Sequence, residues 1–271
     1  MECHVSIPKI TATLLGAGNP LPATAKPLLI VGAGLGTGVR ALWGAAVPYL
    51  EGFEVVGVDL PGHGASPAAT EAFSVAELAS GVRDIAAQLC DGADRKVYYA
   101  GVSLAGGVAL QLALDQGTGH EGVFSAVAAI CSSAQFGEPQ GWLDRAETVR
   151  VQGTPTQVVG SAQRWFAPGF MEAYPDRAAA LLHSLQDADR FSYAFACRAL
   201  ADFDVRDRLG AIEAPLLAIA GELDPICPPA VAETIGSGVR NGRSAVVPGA
   251  AHQAPLEAPE ETAALLRGFF A

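Results

Sequence analysis

VYYAGVSLAGGVALQLAL, residues 97 to 114, joins an apolar β-type run to a helical pattern with no linker between them. The run ends at Val102, Ser103 follows, and the helix starts at once. A serine on so sharp a strand-to-helix turn is held in an exposed, strained position with its Oγ free. The residues two before and two after must be small, because strand and helix approach closely there. Gly101 is two before; two after stands Ala105 rather than glycine, followed by Gly106 and Gly107. The extra methyl weakens the pattern without breaking it. The plain alternative is an ordinary strand–helix junction with a capping serine, so partners elsewhere in the chain must decide.

A serine hydroxyl is a poor nucleophile unless a base takes its proton and an acid orients the base. Of the five histidines, His252 lies in VVPGAAHQAPLEAPE, just past the last apolar run and before the final helix. A base reaching the carboxyl edge of a sheet is expected on such a loop. His63, between glycines in LPGHGAS, reads as a structural loop histidine, and His4, His120 and His183 have no supporting context. For the acid, AIAGELDPICPP places Asp224 directly after an apolar run. The rival position, CSSAQFG after residues 123–131, holds no carboxylate. A turn residue ahead of Pro225 is the bland reading of Asp224. The order Ser103, Asp224, His252 matches the chain order nucleophile, acid, base known for one class of sheet enzyme.

The glycine-rich LIVGAGLGTGVRALW (29–43) poses a second choice. A dinucleotide cradle needs glycines at i, i+2 and i+5. Counting from Gly32 and Gly34 the third position is Thr37, and from Gly34 and Gly36 it is Val39, so neither frame works. Asp59, after the next apolar run, only imitates a ribose-binding acid. Beside a serine turn, this loop would instead present a backbone N–H to a developing oxyanion. Leu35 N–H and Leu104 N–H are the expected pair, with glycines letting the chain bend and approach substrate closely.

Composition sets the frame for both motifs. The 271 residues suit one large α/β domain with a modest insertion, and half of them are hydrophobic. Lys and Arg number 17 against 28 Asp and Glu, a net charge of −11 that disfavours nucleic acid and anionic membranes. No apolar run approaches the roughly 20 residues of a membrane helix. The N-terminus lacks a signal-peptide layout, and Cys3, Cys90, Cys131, Cys197 and Cys227 are scattered without metal-site spacing. A reducing, cytoplasmic setting and no metal are the expectations.

Short apolar runs at 28–32, 53–60, 96–102, 123–131, 215–221 and 243–249 alternate with helical patterns at 74–90, 104–116, 229–236 and 259–270. Runs this continuous fit strands buried on both faces of a parallel sheet with helices packed around it. The rhythm breaks after Ser132. The expected division is a core of residues 1–131 and 210–271 with a helical cap inserted at 132–209, and a site between them.

With GVDLPGHGAS, GVSLAGG, AGELDPICPP and GAAHQAPLEAPE in hand, the chain resembles the α/β-hydrolase superfamily from about residue 26 onward. The LGT turn at 35–37, GWLDRAETVRVQGT, RWF at 164–166 and ALADFDVRDRL are similar to the 3-oxoadipate enol-lactonases of aromatic-compound catabolism. That resemblance implies opening of an enol-lactone ring by water, with no metal or organic cofactor. A carboxylesterase or other lactonase with the same triad is the alternative within enzymes. A non-catalytic ligand-binding protein is the alternative from another class. The family's glycine at position 105 is here an alanine.

An anionic lactone entering a field of −11 needs a local cation. In GWLDRAETVR, Arg145 is three residues after Trp142 and four before Val149, so a helix puts the three on one face. Arg198 stands in the same relation to Phe195, and Arg164 adjoins Trp165. A guanidinium binds a carboxylate with two hydrogen bonds. Arg145 is the first choice and Arg198 the second, with Trp142, Arg164 and Trp165 completing the expected substrate contacts. A structural salt bridge is the plain alternative for each arginine. Oligomeric state is not readable.

Overall fold

The computed structural model describes residues 7–16, 26–90, 95–116 and 122–271. Cys3, His4, His120 and the first residues of the expected core lie outside them. Among the described residues seven strands form one sheet: β1 (Ala12–Leu14), β2 (Leu28–Gly32), β3 (Glu54–Val58), β4 (Val97–Val102), β5 (Ala126–Ile130), β6 (Leu216–Gly221) and β7 (Gly242–Val247). Their order is β1-β3-β2-β4-β5-β6-β7, parallel throughout except for β1, which runs antiparallel on the outside of β3. Every residue of β2 to β6 is buried, which is why these strands read as continuous apolar runs instead of alternating ones. The six runs seen in the sequence all become strands. β1 was not anticipated: three residues are too few to show a period of two.

Helices fill the connections: α1 (Val39–Trp43), α2 (Val75–Leu89) and α3 (Leu104–Gln116) among the first strands, then α9 (Pro229–Gly238), α10 (Ala254–Glu257) and α11 (Pro259–Phe270) near the end. α2 starts where its sequence dictates. Ser74 Oγ accepts from Glu77 N at 3.2 Å and Glu77 Oε2 accepts from Ser74 N at 2.7 Å, so two orphan donors of the first turn are satisfied reciprocally. Leu78, Val82 and Ile85 then bury one face. Trp43 is fully buried and donates its indole N–H to Gly32 O at 3.0 Å, anchoring α1 to the end of β2.

Between β5 and β6 the chain forms α4 (Pro139–Gln152), α5 (Val158–Trp165), α6 (Phe170–Ala173), α7 (Pro175–Asp187) and α8 (Arg190–Asp202). Its two ends are pinned together by an antiparallel bridge between Gln135 and Asp204 and by Val205 N–H donating to Ala134 O at 2.9 Å. These helices therefore leave and re-enter the sheet layer at one neck, over the carboxyl ends of the strands. β2 connects outward to β3 while β4 lies on its other side, so the order of connection reverses between β2 and β4. Crevices open at such a reversal, outside the carboxyl ends of the strands.

Candidate active site

The β2 and β4 ends meet at that crevice. Gly32 pairs with Gly101 across the two strands. Ser103 follows β4 with φ of +55°, one of two non-glycine residues in the left-handed region among the described residues. Such strain persists only where neighbours enforce it. Here Ser103 N–H is held by Ile130 O at 2.9 Å, and Ser103 O accepts from Gly106 N, Gly107 N and the Ser132 hydroxyl at 2.8, 3.1 and 2.8 Å. A Cβ on Gly101 would stand 2.0 Å from the backbone oxygen of Ala105, so glycine is obligatory there. The Ala105 methyl has its own explanation. A Cβ on Gly32 would fall 2.6 Å from it, so the missing side chain of Gly32 makes room for the extra carbon.

Asp224 lies three residues past β6 and is buried. Its Oδ1 accepts from Ile226 N at 2.8 Å and Cys227 N at 3.0 Å, and its Oδ2 faces His252 Nδ1 at 2.8 Å. Burial pushes the Asp224 pKa up, but the bond to His252, its charge and the two N–H groups outweigh burial and hold it below the usual carboxylate value. An ionised carboxylate only accepts, so Nδ1 of His252 carries the proton and Nε2 is left as a base. The loop holding His252 is buried and follows β7. Cys131, the second left-handed residue, brings its sulfur within 4.8 Å of the Asp224 and His252 ligand atoms. Burial raises its thiol pKa strongly and the S–H points to Ala251 O at 3.6 Å, so this protonated group is a poor metal ligand.

Ser103 and His252 face one cavity of about 90 Å³, walled also by Gly34, Leu35, Trp142, Arg145, Arg164 and Trp165. Of the ten expected site residues, seven line this cavity and three, Asp224, Leu104 and Arg198, do not; Asp224 stands behind His252. Leu104 is the buried first residue of α3, next to Ser103. Arg198 is misplaced by the sequence reading. It is exposed, and its charge acts on Glu147 of α4. The reason is helical geometry: Tyr193 supplies the cavity wall from α8, and five residues on, a helix has turned by roughly 140°. Tyr193, Phe136, Ser161, Ile226 and Gln253 line the cavity without having been anticipated. Gln253, beside His252, and Ile226, two residues past Asp224, stood within recognised motifs. His63 donates Nδ1–H to Pro61 O (2.9 Å) and stacks on Tyr193, a supporting position behind the wall.

Arg145 lies over the Trp142 ring, its guanidinium carbon 4.7 Å from the ring centre, and its charge acts on the Tyr193 hydroxyl. Arg164 donates Nε–H to Gly160 O at 2.9 Å. Burial, then repulsion from Arg145, lowers the Arg164 pKa. Among the described residues neither forms a salt bridge. Two cations share a cavity in a chain of charge −11, and their charges are free to meet an anion.

A serine in the left-handed region, an imidazole and a buried carboxylate behind it are an arrangement that could supply a nucleophile, a base and an orienting acid. The chain belongs to the alpha/beta hydrolase family, whose model matches residues 28–265. It is 33% identical over 202 residues to "3-oxoadipate enol-lactonase 2" of Acinetobacter baylyi, covering 74% of this chain and 73% of that one. It is 30% identical over 211 residues to a "pimeloyl-[acyl-carrier protein] methyl ester esterase" of Vibrio atlanticus, covering 72% and 76%. The fold is similar to the crystal structure of an enol-lactonase from Burkholderia xenovorans LB400, with a TM-score of 0.85 over 96% of both chains at 24% identity. Among the described residues no helix is long and apolar enough to cross a membrane.

Proposed function

We propose that this protein is a serine hydrolase that opens the ring of a carboxylate-bearing enol-lactone, with 3-oxoadipate enol-lactone as substrate and 3-oxoadipate as product. The observation that carries this reading is the 2.8 Å contact of His252 Nδ1 with Asp224, in a cavity that holds both Ser103 and two unpaired arginines. Similarity to an enol-lactonase at 33% identity supports the same substrate class.

In this mechanism His252 Nε2 takes the Ser103 proton as Oγ attacks the lactone carbonyl. The imidazolium that forms is stabilised by Asp224, which stays ionised. The N–H groups of Leu35 and Leu104 meet the developing oxyanion, each such donor contributing on the order of 3 kcal/mol. The carbonyl collapses, the ring C–O bond breaks, and the enolate leaving group takes the proton from His252 and settles as the ketone, which leaves the imidazole neutral. Water then attacks the acyl-enzyme with His252 again as base, releasing the second carboxylate and restoring Ser103. Arg145 and Arg164 hold the carboxylate the substrate brings with it. The site needs only its own side chains and water for these steps. Similarity to a methyl ester esterase at 30% identity supports a second reading, hydrolysis of an open-chain ester by the same residues. Turnover of the purified protein on the enol-lactone, set against neutral p-nitrophenyl esters, tests the choice. A kcat/KM for neutral esters above that for the anionic lactone overturns the lactonase reading.

A further inference from the structure

Glu257, at the end of α10, is half-buried and takes no part in the mechanism above. Its carboxylate nevertheless gathers three backbone N–H groups from two separate parts of the chain. Oε1 accepts from Ala251 N at 3.1 Å and Gln253 N at 3.0 Å, the residues on either side of His252. Oε2 accepts from Ala167 N at 2.6 Å, two residues past Trp165. The N–H left between them, that of His252 itself, donates to Trp165 O at 3.1 Å. Three successive N–H groups of the histidine loop are thus satisfied, two by one side chain and one by the cavity wall. Arg164 and Trp165, which form that wall, sit on the segment that Glu257 ties down. Burial outweighs the three N–H groups and His252 and leaves the Glu257 pKa above the usual carboxylate value.

We infer that Glu257 is a positioning residue: its carboxylate locks the His252 loop to the wall carrying Arg164 and Trp165, so that base and bound substrate keep one spacing. The inference rests on the proposed role of His252 as the base acting on Ser103. A carboxylate suits the task because both oxygens accept and neither donates. An amide in its place keeps one accepting oxygen for Ala251 and Gln253, but turns an N–H towards Ala167, so the tie to the wall is lost while the loop is kept. Alanine loses both. Placement errors near 1 Å cost about a hundredfold in rate.

The test compares Glu257→Gln, Glu257→Ala and Ser103→Ala in the full chain, on the enol-lactone and on p-nitrophenyl acetate. The kcat of the wild type and of each Glu257 variant is normalised to active sites titrated with a fluorophosphonate, which removes any unfolded fraction, while Ser103→Ala, which has no serine to titrate, is read per protein. The expected kcat per titrated site falls about tenfold for Glu257→Gln and about a hundredfold for Glu257→Ala. A merely structural role lowers the titratable fraction and the melting temperature while kcat per site stays at the wild-type value, and that result overturns the inference. Ser103→Ala separates the two levels. If it keeps more than a tenth of wild-type turnover, the serine reading falls and this inference with it. If it is inactive while both Glu257 variants match wild type per site, only the inference falls.

Discussion

Replacing Asp224 by asparagine changes one atom, and the local geometry states what that atom does. Oδ1 is fixed by the N–H groups of Ile226 and Cys227, at 2.8 and 3.0 Å. The amide oxygen of the variant must take that position, because an NH₂ there would confront two donors. The NH₂ is then forced towards His252 Nδ1, where Oδ2 now stands at 2.8 Å. Two donors cannot face each other, so the imidazole gives up the Nδ1 proton and carries it on Nε2 instead. Nε2–H cannot accept the serine proton. The same tautomer trap in serine proteases lowers kcat by about 10⁴, or about 5.5 kcal/mol at 1.36 kcal/mol per decade. We expect that loss for Asp224→Asn, with KM little changed and the fold intact, because shape and backbone bonds are preserved. Steady-state turnover of a neutral p-nitrophenyl ester isolates the step from carboxylate binding. A nearly silent Asp224→Asn, with inactive Asp202 or Asp204 variants, would refute the assignment of the acid.

Ser103→Ala should lower kcat by roughly 10⁴ to 10⁶ and abolish fluorophosphonate labelling, while circular dichroism stays that of the wild type. Arg145→Met should cost about 2 to 5 kcal/mol in kcat/KM, roughly 30- to 5,000-fold, on the anionic lactone and almost nothing on a neutral ester; equal losses on both would remove Arg145 from substrate binding. Arg198→Met, on the outer face of α8, should leave both activities unchanged. Gly101→Ala places a carbon 2.0 Å from a backbone oxygen and should yield little folded protein, read as loss of soluble expression and of cooperative melting. The lowered Asp224 pKa contributes stability that is present above its unfolded value near 3.8 and is lost as pH falls through the folded value. Melting temperatures below about pH 3.8 should therefore fall more steeply for the wild type than for Asp224→Asn; parallel curves would contradict it.

The strands β2 to β6 were legible because burial on both faces leaves no polar position to blur the run. Ser103 was legible because its turn admits so few side chains, Asp224 because it follows such a run, and His252 because it lies between the last strand and the final helix. The cavity was harder. Arg145 could be placed from its spacing to Trp142 and Val149 within one helix, whereas Arg198 could not, since the face that α8 turns inward is set by its packing on α4. Tyr193 and Ser161 reach the cavity from helices whose pattern shows only that one side is apolar. Glu257 stayed silent for another reason: its partners are backbone N–H groups, which every residue carries, so no pattern of side chains marks them.

The neck formed by Gln135 and Asp204 has a bearing on how such a protein changes its trade. The proposed nucleophile, acid and base all hang on the sheet, while both cavity arginines arrive on the helices grafted in through that neck. A lineage, or an engineer, can exchange the graft to gain a new clientele and leave the machinery beneath untouched. The contact of His252 N–H with Trp165 O at 3.1 Å is where such a graft must be sewn with care. Imported helices that omit a carbonyl there would bring a new appetite to a blunted tool.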